Sequence, residues 1–246
     1  MKRSDTMSFA LRTIAAAGIA TSLATLVGCE STANVADGSD VMTAEAQQSL
    51  TPDAILAAMK AGNARFVSGN LTERNWQDQA KATASGQFPH SVVLSCLDSR
   101  VPPEIIFDQG IGDIFVGRVA GNFENTDMVG SMEFATAAAG SKLIIVMGHT
   151  SCGAVIGAIE DVRLGNLTDT LANIRPAIAA AGAVAGQGKS SDASLVARVT
   201  ELNVQQTVAD IQSRSPVLAE RVANGQLKVV GAVYDLETGV VTFLDS

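Results

Sequence analysis

Short runs of consecutive apolar, largely β-branched residues alternate along the chain with longer stretches in which apolar positions recur at helical spacing. The runs cover 91–96, 113–118, 142–147 and 227–234, and each reads as a strand buried on both faces. Glu237-Thr238-Gly239 then turns the chain into 240–244, the pattern of an antiparallel edge strand. The stretches between, about 127–139, 151–163, 168–181 and 193–224, read as helices, the last divided by Pro216. This alternation predicts an α/β domain: a mostly parallel sheet of about four strands plus an antiparallel edge strand, flanked by helices. Ahead of it, Thr51-Pro52-Asp53 reads as a helix start, with Thr51 as N-cap and Pro52 at the first helical position. Ile55, Leu56, Met59, Ala64 and Phe66 continue an apolar stripe broken near Gly62, an N-terminal helical arm over about 52–68. Trp76 follows in a polar stretch, where anchoring to the body, anchoring to another subunit and core packing are all open.

The first residues follow other rules. Lys2, Arg3 and Arg12 precede an apolar run over 14–27 that ends in Leu26-Val27-Gly28-Cys29. A basic start, a short apolar stretch and a small-residue ending describe a secretory signal. A spanning helix needs about 20 apolar residues, and this run is shorter and rich in Ala, Gly and Thr. Its ending resembles a bacterial lipobox, which implies that Cys29 is lipidated and becomes the first mature residue. An ordinary cleaved signal, with Cys29 discarded or free, is the alternative. Glu30 after the cysteine favours the outer membrane, by analogy with lipoprotein sorting. Residues 30–49 are small, polar and acidic and read as a flexible tether, which leaves 50–246 for the folded domain. The expected location is therefore exported, on the periplasmic side, lipid-anchored to the outer membrane and touching it only through the anchor.

The 246 residues are 47% hydrophobic, enough for a substantial core. Without residues 1–29, 14 basic residues face 24 acidic ones, a net charge of −10. That balance argues against nucleic acid as a partner, which demands clustered Lys and Arg. It is silent on small neutral substrates.

Only Cys96 and Cys152 remain after Cys29. In an exported protein two cysteines suggest a disulfide. Here each sits in a turn beside other metal-ligand residue types, Cys96 with Asp98 and Cys152 with His149, which favours a metal. Two thiolates and one imidazole are ligands that zinc prefers, and three protein ligands leave a place for water or substrate. Cys96 ends the first strand and His149 lies just past the third, so both fall on the carboxyl edge where open α/β sheets bind ligands.

The quoted residues resemble the β-class carbonic anhydrases. The resemblance rests on Cys96-Leu97-Asp98-Ser99-Arg100-Val101 and Gly148-His149-Thr150-Ser151-Cys152-Gly153-Ala154, with Gln87, Arg118-Val-Ala-Gly-Asn122 and Gly130-Ser-Met-Glu133-Phe134 as further matches, and spans about 50–245. It implies a Zn2+ site formed by Cys96, His149 and Cys152, and reversible hydration of carbon dioxide to bicarbonate and a proton through zinc-bound hydroxide. Asp98 is implied to orient the water and Arg100 to keep Asp98 ionised. In a closed form of the family Asp98 takes the fourth zinc position. Gln87, Phe115, Ala120 and Phe134 align with substrate-pocket positions; core packing explains Phe115 equally well. A homodimer or tetramer is implied, with the apolar arm from Ile55 to Phe66 embracing a partner. Two rival readings keep the metal: a carbon disulfide or carbonyl sulfide hydrolase of the same superfamily, and a non-catalytic zinc-binding surface lipoprotein. His90, the other histidine, begins the first strand roughly 20 Å from Cys96 at about 3.3 Å per residue. It reads as a surface residue and not as a proton shuttle. Gly110-Ile-Gly112 reads as a chain reversal, with no phosphate-loop spacing around it.

Overall fold

The computed structural model describes residues 41–189 and 191–244. The expected export signal, Cys29 and the first part of the expected tether lie outside the described residues. A five-stranded sheet in the order β2-β1-β3-β4-β5 organises the rest. Its strands are β1 (Ser91–Ser95), β2 (Ile114–Arg118), β3 (Leu143–His149), β4 (Lys228–Tyr234) and β5 (Val241–Phe243). The first four are parallel and β5 pairs antiparallel with β4, as the hydropathy pattern predicts.

The central strands β1 and β3 read as continuous apolar runs because both faces are covered, whereas β2, expected to be buried likewise, lies at the sheet margin and is only partly buried along its length. In β3, Leu143, Ile145 and Met147 enter one core while Ile144 and Val146 enter another. In β1, Val93 faces the first and Val92 and Leu94 the second. Each such side chain, fully buried, contributes about 1.5–3 kcal/mol. The first core is closed by α1 (Ala44–Ser49), α2 (Pro52–Val67) and α4 (Pro103–Ile106), after α3 (Trp76–Thr83) has passed along the surface. The second is closed by α5 (Thr126–Glu133), which runs on into a π-helical turn (Phe134–Ala138). A third cluster joins α6 (Gly153–Ile159), α7 (Leu167–Ala172) and α8 (Arg175–Ala180) to the start of α9 (Ala193–Arg214), with Cys96 and Cys152 among its members. Farther along, α9 and then α10 (Pro216–Ala223) cover the second core. Pro216 divides these two helices as expected.

Three sequence expectations change here. The tether does not extend to residue 49. Thr43 caps α1 through its side chain, and buried Gln47 donates to the carbonyls of Pro89 and Ala139, both at 2.8 Å. These side-chain bonds supply the order that hydropathy does not show. The helical arm spends its apolar stripe on its own chain: Ile55 and Met59 are buried in the first core. Gly62 permits this, since a Cβ there would stand 1.9 Å from the carbonyl oxygen of Phe107. Trp76 is not in the core but 48% exposed, with the Arg74 guanidinium 5.9 Å from its ring centre.

Asp108 fastens the arm to the body. Its carboxylate, fully buried, accepts from Arg65 Nε at 2.5 Å, from Thr72 Oγ1 at 2.7 Å and from Arg74. Burial pushes this carboxyl up, but the bonds from Arg74, Thr72 and Arg65 outweigh it and hold it below the usual range. Removing one member of a buried ion pair strands the other, at about 3–5 kcal/mol. Asp108→Ala is therefore expected to lose that much stability in urea unfolding, because Arg74 is also buried; a change below about 1 kcal/mol contradicts this.

Candidate metal centre

The sheet register builds the site. Ser95 pairs with Met147 across β1 and β3, so Cys96, just past β1, and His149, the last residue of β3, emerge side by side at the carboxyl edge. The chain then turns through Thr150 and Ser151, the latter at φ 53°, and delivers Cys152 as the residue preceding α6. All three side chains are buried, and their donor atoms lie within 4.8 Å of one another.

The sulfurs of Cys96 and Cys152 are 3.8 Å apart. A disulfide requires about 2.05 Å, and both cysteines are free. Two Zn–S bonds of about 2.3 Å at a tetrahedral angle place their sulfurs about 3.8 Å apart, which is the separation found. His149 supplies the third donor. Its Nδ1 lies 2.9 Å from the Thr150 carbonyl, which can only accept, so Nδ1 carries the proton. Nε2 is thereby left with a lone pair, buried and without a hydrogen-bond partner. An orphaned ring nitrogen beside two sulfurs is a cost that a cation removes, so the residues fit a metal.

Without a metal the two thiols share one proton. Cys96 is pulled down to about 4, first by the hydrogen bond from Cys152 and then, against burial, by the Gly121 N–H. Cys152 is pushed up because it is the donor to Cys96 and because it is buried.

Asp98 stands at the rim, its Oδ2 3.8 Å from His149 Nε2. Arg100 grips it with Nε on Oδ1 at 2.9 Å and Nη2 on Oδ2 at 2.7 Å, and the Arg100 amide adds a third bond at 3.0 Å. These bonds hold the carboxyl well below the usual carboxylate range. The carboxylate is thus turned to Arg100 and stands outside the three-residue donor cluster.

Arg118, at the end of β2, donates to the carbonyl of Cys96 at 3.0 Å and to that of Asp98 at 2.5 Å. Sequence reading gave it no task; an arginine closing a strand one position from the ligand loop's neighbour is the signal that was there. Ala120 lies in the turn beside the site, next to Gly121, whose N–H reaches Cys96 Sγ at 3.4 Å. Within one chain the structure does not bring Gln87, Phe115 or Phe134 to the triad. Phe115 pairs with Val92, about 13 Å along β1 from Cys96, and Gln87 precedes β1 at the other end of the sheet and is exposed. Phe134 is 59% exposed and meets Phe115 edge-on, centroids 6.2 Å apart, beside the β2 edge.

His90 requires a correction. It is fully buried, with Nε2 3.0 Å from Gln109 Oε1; hydropathy did not show that α4 and the following loop fold over it. Its place at the start of β1, remote from Cys96, stands, so His90→Ala is expected to leave turnover unchanged. Burial lowers its pKa from the ordinary 6.5, against the pull of Asp113 and Gln109. A buried neutral imidazole lets the unfolded chain take up the proton first. Stability is therefore expected to decline as pH falls below 6.5 and to level off at the lower folded pKa. Urea midpoints for wild type and His90→Gln, compared between about pH 7 and 5, check this: the variant should show the shallower decline.

A buried donor set at the carboxyl edge of a parallel sheet, with an ionised carboxylate poised beside it, defines a metal-dependent enzyme. Residues 91–241 match the family model described as carbonic anhydrase. The chain is 38% identical over 200 residues to carbonic anhydrase 2 of Mycobacterium tuberculosis, covering 79% of this chain and 93% of that one. It is 37% identical to a carbonic anhydrase of Mycolicibacterium smegmatis, covering 77% and 92%. A β-carbonic anhydrase structure from Aspergillus fumigatus superposes with TM-score 0.60 at 27% identity, covering 78% and 90%. Tetrameric β-carbonic anhydrases from Sordaria macrospora are represented at TM-score 0.60, 25% identity, covering 79% and 98%. The chain belongs to the carbonic anhydrase family, in its β class.

Proposed function

We propose that this carbonic anhydrase is a zinc enzyme whose ligands are Cys96, His149 and Cys152. The observation that carries the reading is the 3.8 Å sulfur pair beside the unpartnered Nε2 of His149. Two thiolates and an imidazole select zinc among common divalent ions. When bound, zinc supplies acidification of a water to a pKa near 7.

The remaining chemistry belongs to this chain. Ionised by Arg100, Asp98 can only accept a hydrogen bond. It therefore accepts a hydrogen bond from the reacting water and turns an oxygen lone pair toward carbon dioxide. Arg118 fixes the main chain of Cys96 and Asp98 together, so ligand and orienting carboxylate keep one geometry. Ala120, with its small side chain, leaves room beside them. Gln87, Phe115 and Phe134 serve the pocket from a second copy meeting this one along the β2 edge, with a homodimer as the minimum unit. Support comes from the position of β2 at the sheet margin, the exposure of Phe134 and the tetrameric state of the Sordaria relatives. Export and attachment through a lipid on Cys29, on the periplasmic side of the outer membrane, rest on the Leu26-Val27-Gly28-Cys29 sequence; residues 1–29 carry the signal with its lipobox, and the folded domain includes α1.

Stopped-flow carbon dioxide hydration, before and after chelation and zinc restoration, tests the reading. Hydration that chelator abolishes and zinc restores is expected. Hydrolysis of carbon disulfide or carbonyl sulfide without hydration, or bound zinc with neither activity, contradicts it.

A further inference from the structure

Along its length α9 turns Val196, Val199, Val204 and Ile211 into the interior. Asn203 interrupts this face. It is 3% exposed and sits mid-helix, where asparagine is disfavoured because its amide competes with the backbone. The neighbouring Thr200 hydroxyl is spent within the helix, on the carbonyl of Val196 at 2.8 Å. Asn203 instead reaches out: Nδ2 donates to the carbonyl of Gly121 at 2.8 Å. The same residue's N–H points the other way, to Cys96 Sγ at 3.4 Å. Gly121 is held at φ +88°, and a Cβ there would come within 2.6 Å of Ile174 Cδ1. With its carbonyl fixed by Asn203 and its backbone held at φ +88°, Gly121 presents its N–H, which lies in the preceding peptide, to the sulfur.

We infer that Asn203 is a positioning residue for the metal centre: it holds Gly121 so that the Gly121 N–H bonds to the sulfur of Cys96 and draws charge from it. This rests on the reading of Cys96 as a metal ligand. Hydrogen bonds to ligating sulfurs are an established way for proteins to tune thiolate-bound metals. A thiolate gives more charge to its metal than an imidazole does, which opposes acidification of water. An N–H on Cys96 offsets part of that donation, and Asn203 brings it from a helix that carries none of the recognisable motifs.

Cadmium-113 exchanged into the full chain tests the inference by NMR. A scalar coupling from the metal across Cys96 sulfur to the Gly121 amide proton is expected in wild type. It should persist in Val204→Ala, which loosens packing on the same helix without touching the Gly121 carbonyl. It should vanish in Asn203→Leu, which fills the space without a donor, and in Asn203→Ser, whose hydroxyl stops short of the carbonyl; either variant suffices if the other does not fold. In the cobalt form, the sulfur-to-metal charge-transfer band should move to lower energy in the Asn203 variants and stay in place in Val204→Ala. Metal couplings to the β-protons of Cys96 and Cys152 with none to Gly121 in wild type would overturn the inference and leave the ligand set intact. An unchanged coupling and band in the Asn203 variants, or their equal loss in Val204→Ala, would overturn it as well. Absence of every cysteine coupling would instead remove the ligand assignment itself.

Discussion

Cys152→Ala is expected to abolish both metal binding and carbon dioxide hydration, a loss of at least about 10⁴-fold in kcat/KM against the 10⁶-fold or more typical of enzymes. The variant is informative because the fold has little else riding on that sulfur. Cys152 precedes α6, but its side chain makes no capping bond, so alanine leaves the helix start as it is. The cavity left by one buried sulfur costs about 1–2 kcal/mol, within the stability of an ordinary domain. Metal analysis and stopped-flow hydration should therefore fall together in a folded protein. Retained hydration would show that the donor cluster is not the catalytic centre. His149→Ala should behave alike, and the Thr150 carbonyl would then lose the donor that fixes the ring.

Asp98→Asn should separate chemistry from metal binding. Asp98 stands outside the donor cluster, so metal content should stay at the wild-type level. Asparagine, however, presents an amide N–H where a pure acceptor is needed, and it weakens the grip of Arg100. A loss of about 100-fold in kcat is expected, the lower range for a misplaced acid–base group. Because Arg100 holds Asp98 below the usual carboxylate range, the carboxylate is already ionised across neutral pH. The acid limb of the wild-type pH profile is thus not expected to report its protonation. Arg100→Gln removes the group that lowers this carboxyl, so its pKa rises; activity should then fall off at a higher pH than in wild type. A profile unchanged in Arg100→Gln, measured by hydration rates across about pH 5 to 9, contradicts that role.

Much of this was legible in the chain because the central strands are buried on both faces. Continuous β-branched runs have few other uses, and all five strands lie where those runs placed them. The ends were less legible. β3 runs on through Gly148 to His149, since Gly148 packs so closely under α9 that a Cβ would meet Val204 at 2.8 Å; hydropathy stops before it. The short helices α1, α3 and α4 were missed because their order comes from caps and tertiary bonds: Thr43 and Asn75 cap the first two, and Gln47 ties α1 to distant carbonyls. The burial of His90 was invisible for the same reason, being made by residues farther along the chain. At the site, the roles of Asp98 and Arg100 came from the resemblance to the family, whereas the three donors carried their chemistry in residue type and in their place at the strand ends. The supports did not: the Thr150 carbonyl, the Gly121 amide and the carbonyls gripped by Arg118 are main-chain groups, which every residue possesses and no motif marks. Phe115 and Phe134 meet each other but, with Gln87, lie away from the triad within one chain, so their proposed part in a pocket rests on the proposed second copy.

X-ray absorption at the zinc edge of the metal-loaded protein tests the central claim most directly. The account predicts a four-coordinate ion with two sulfurs at about 2.3 Å and two lighter donors at about 2.0 Å, one from His149 and one from solvent. A shell with no sulfur, or zinc absent while Cys96 and Cys152 are joined to each other, would contradict it.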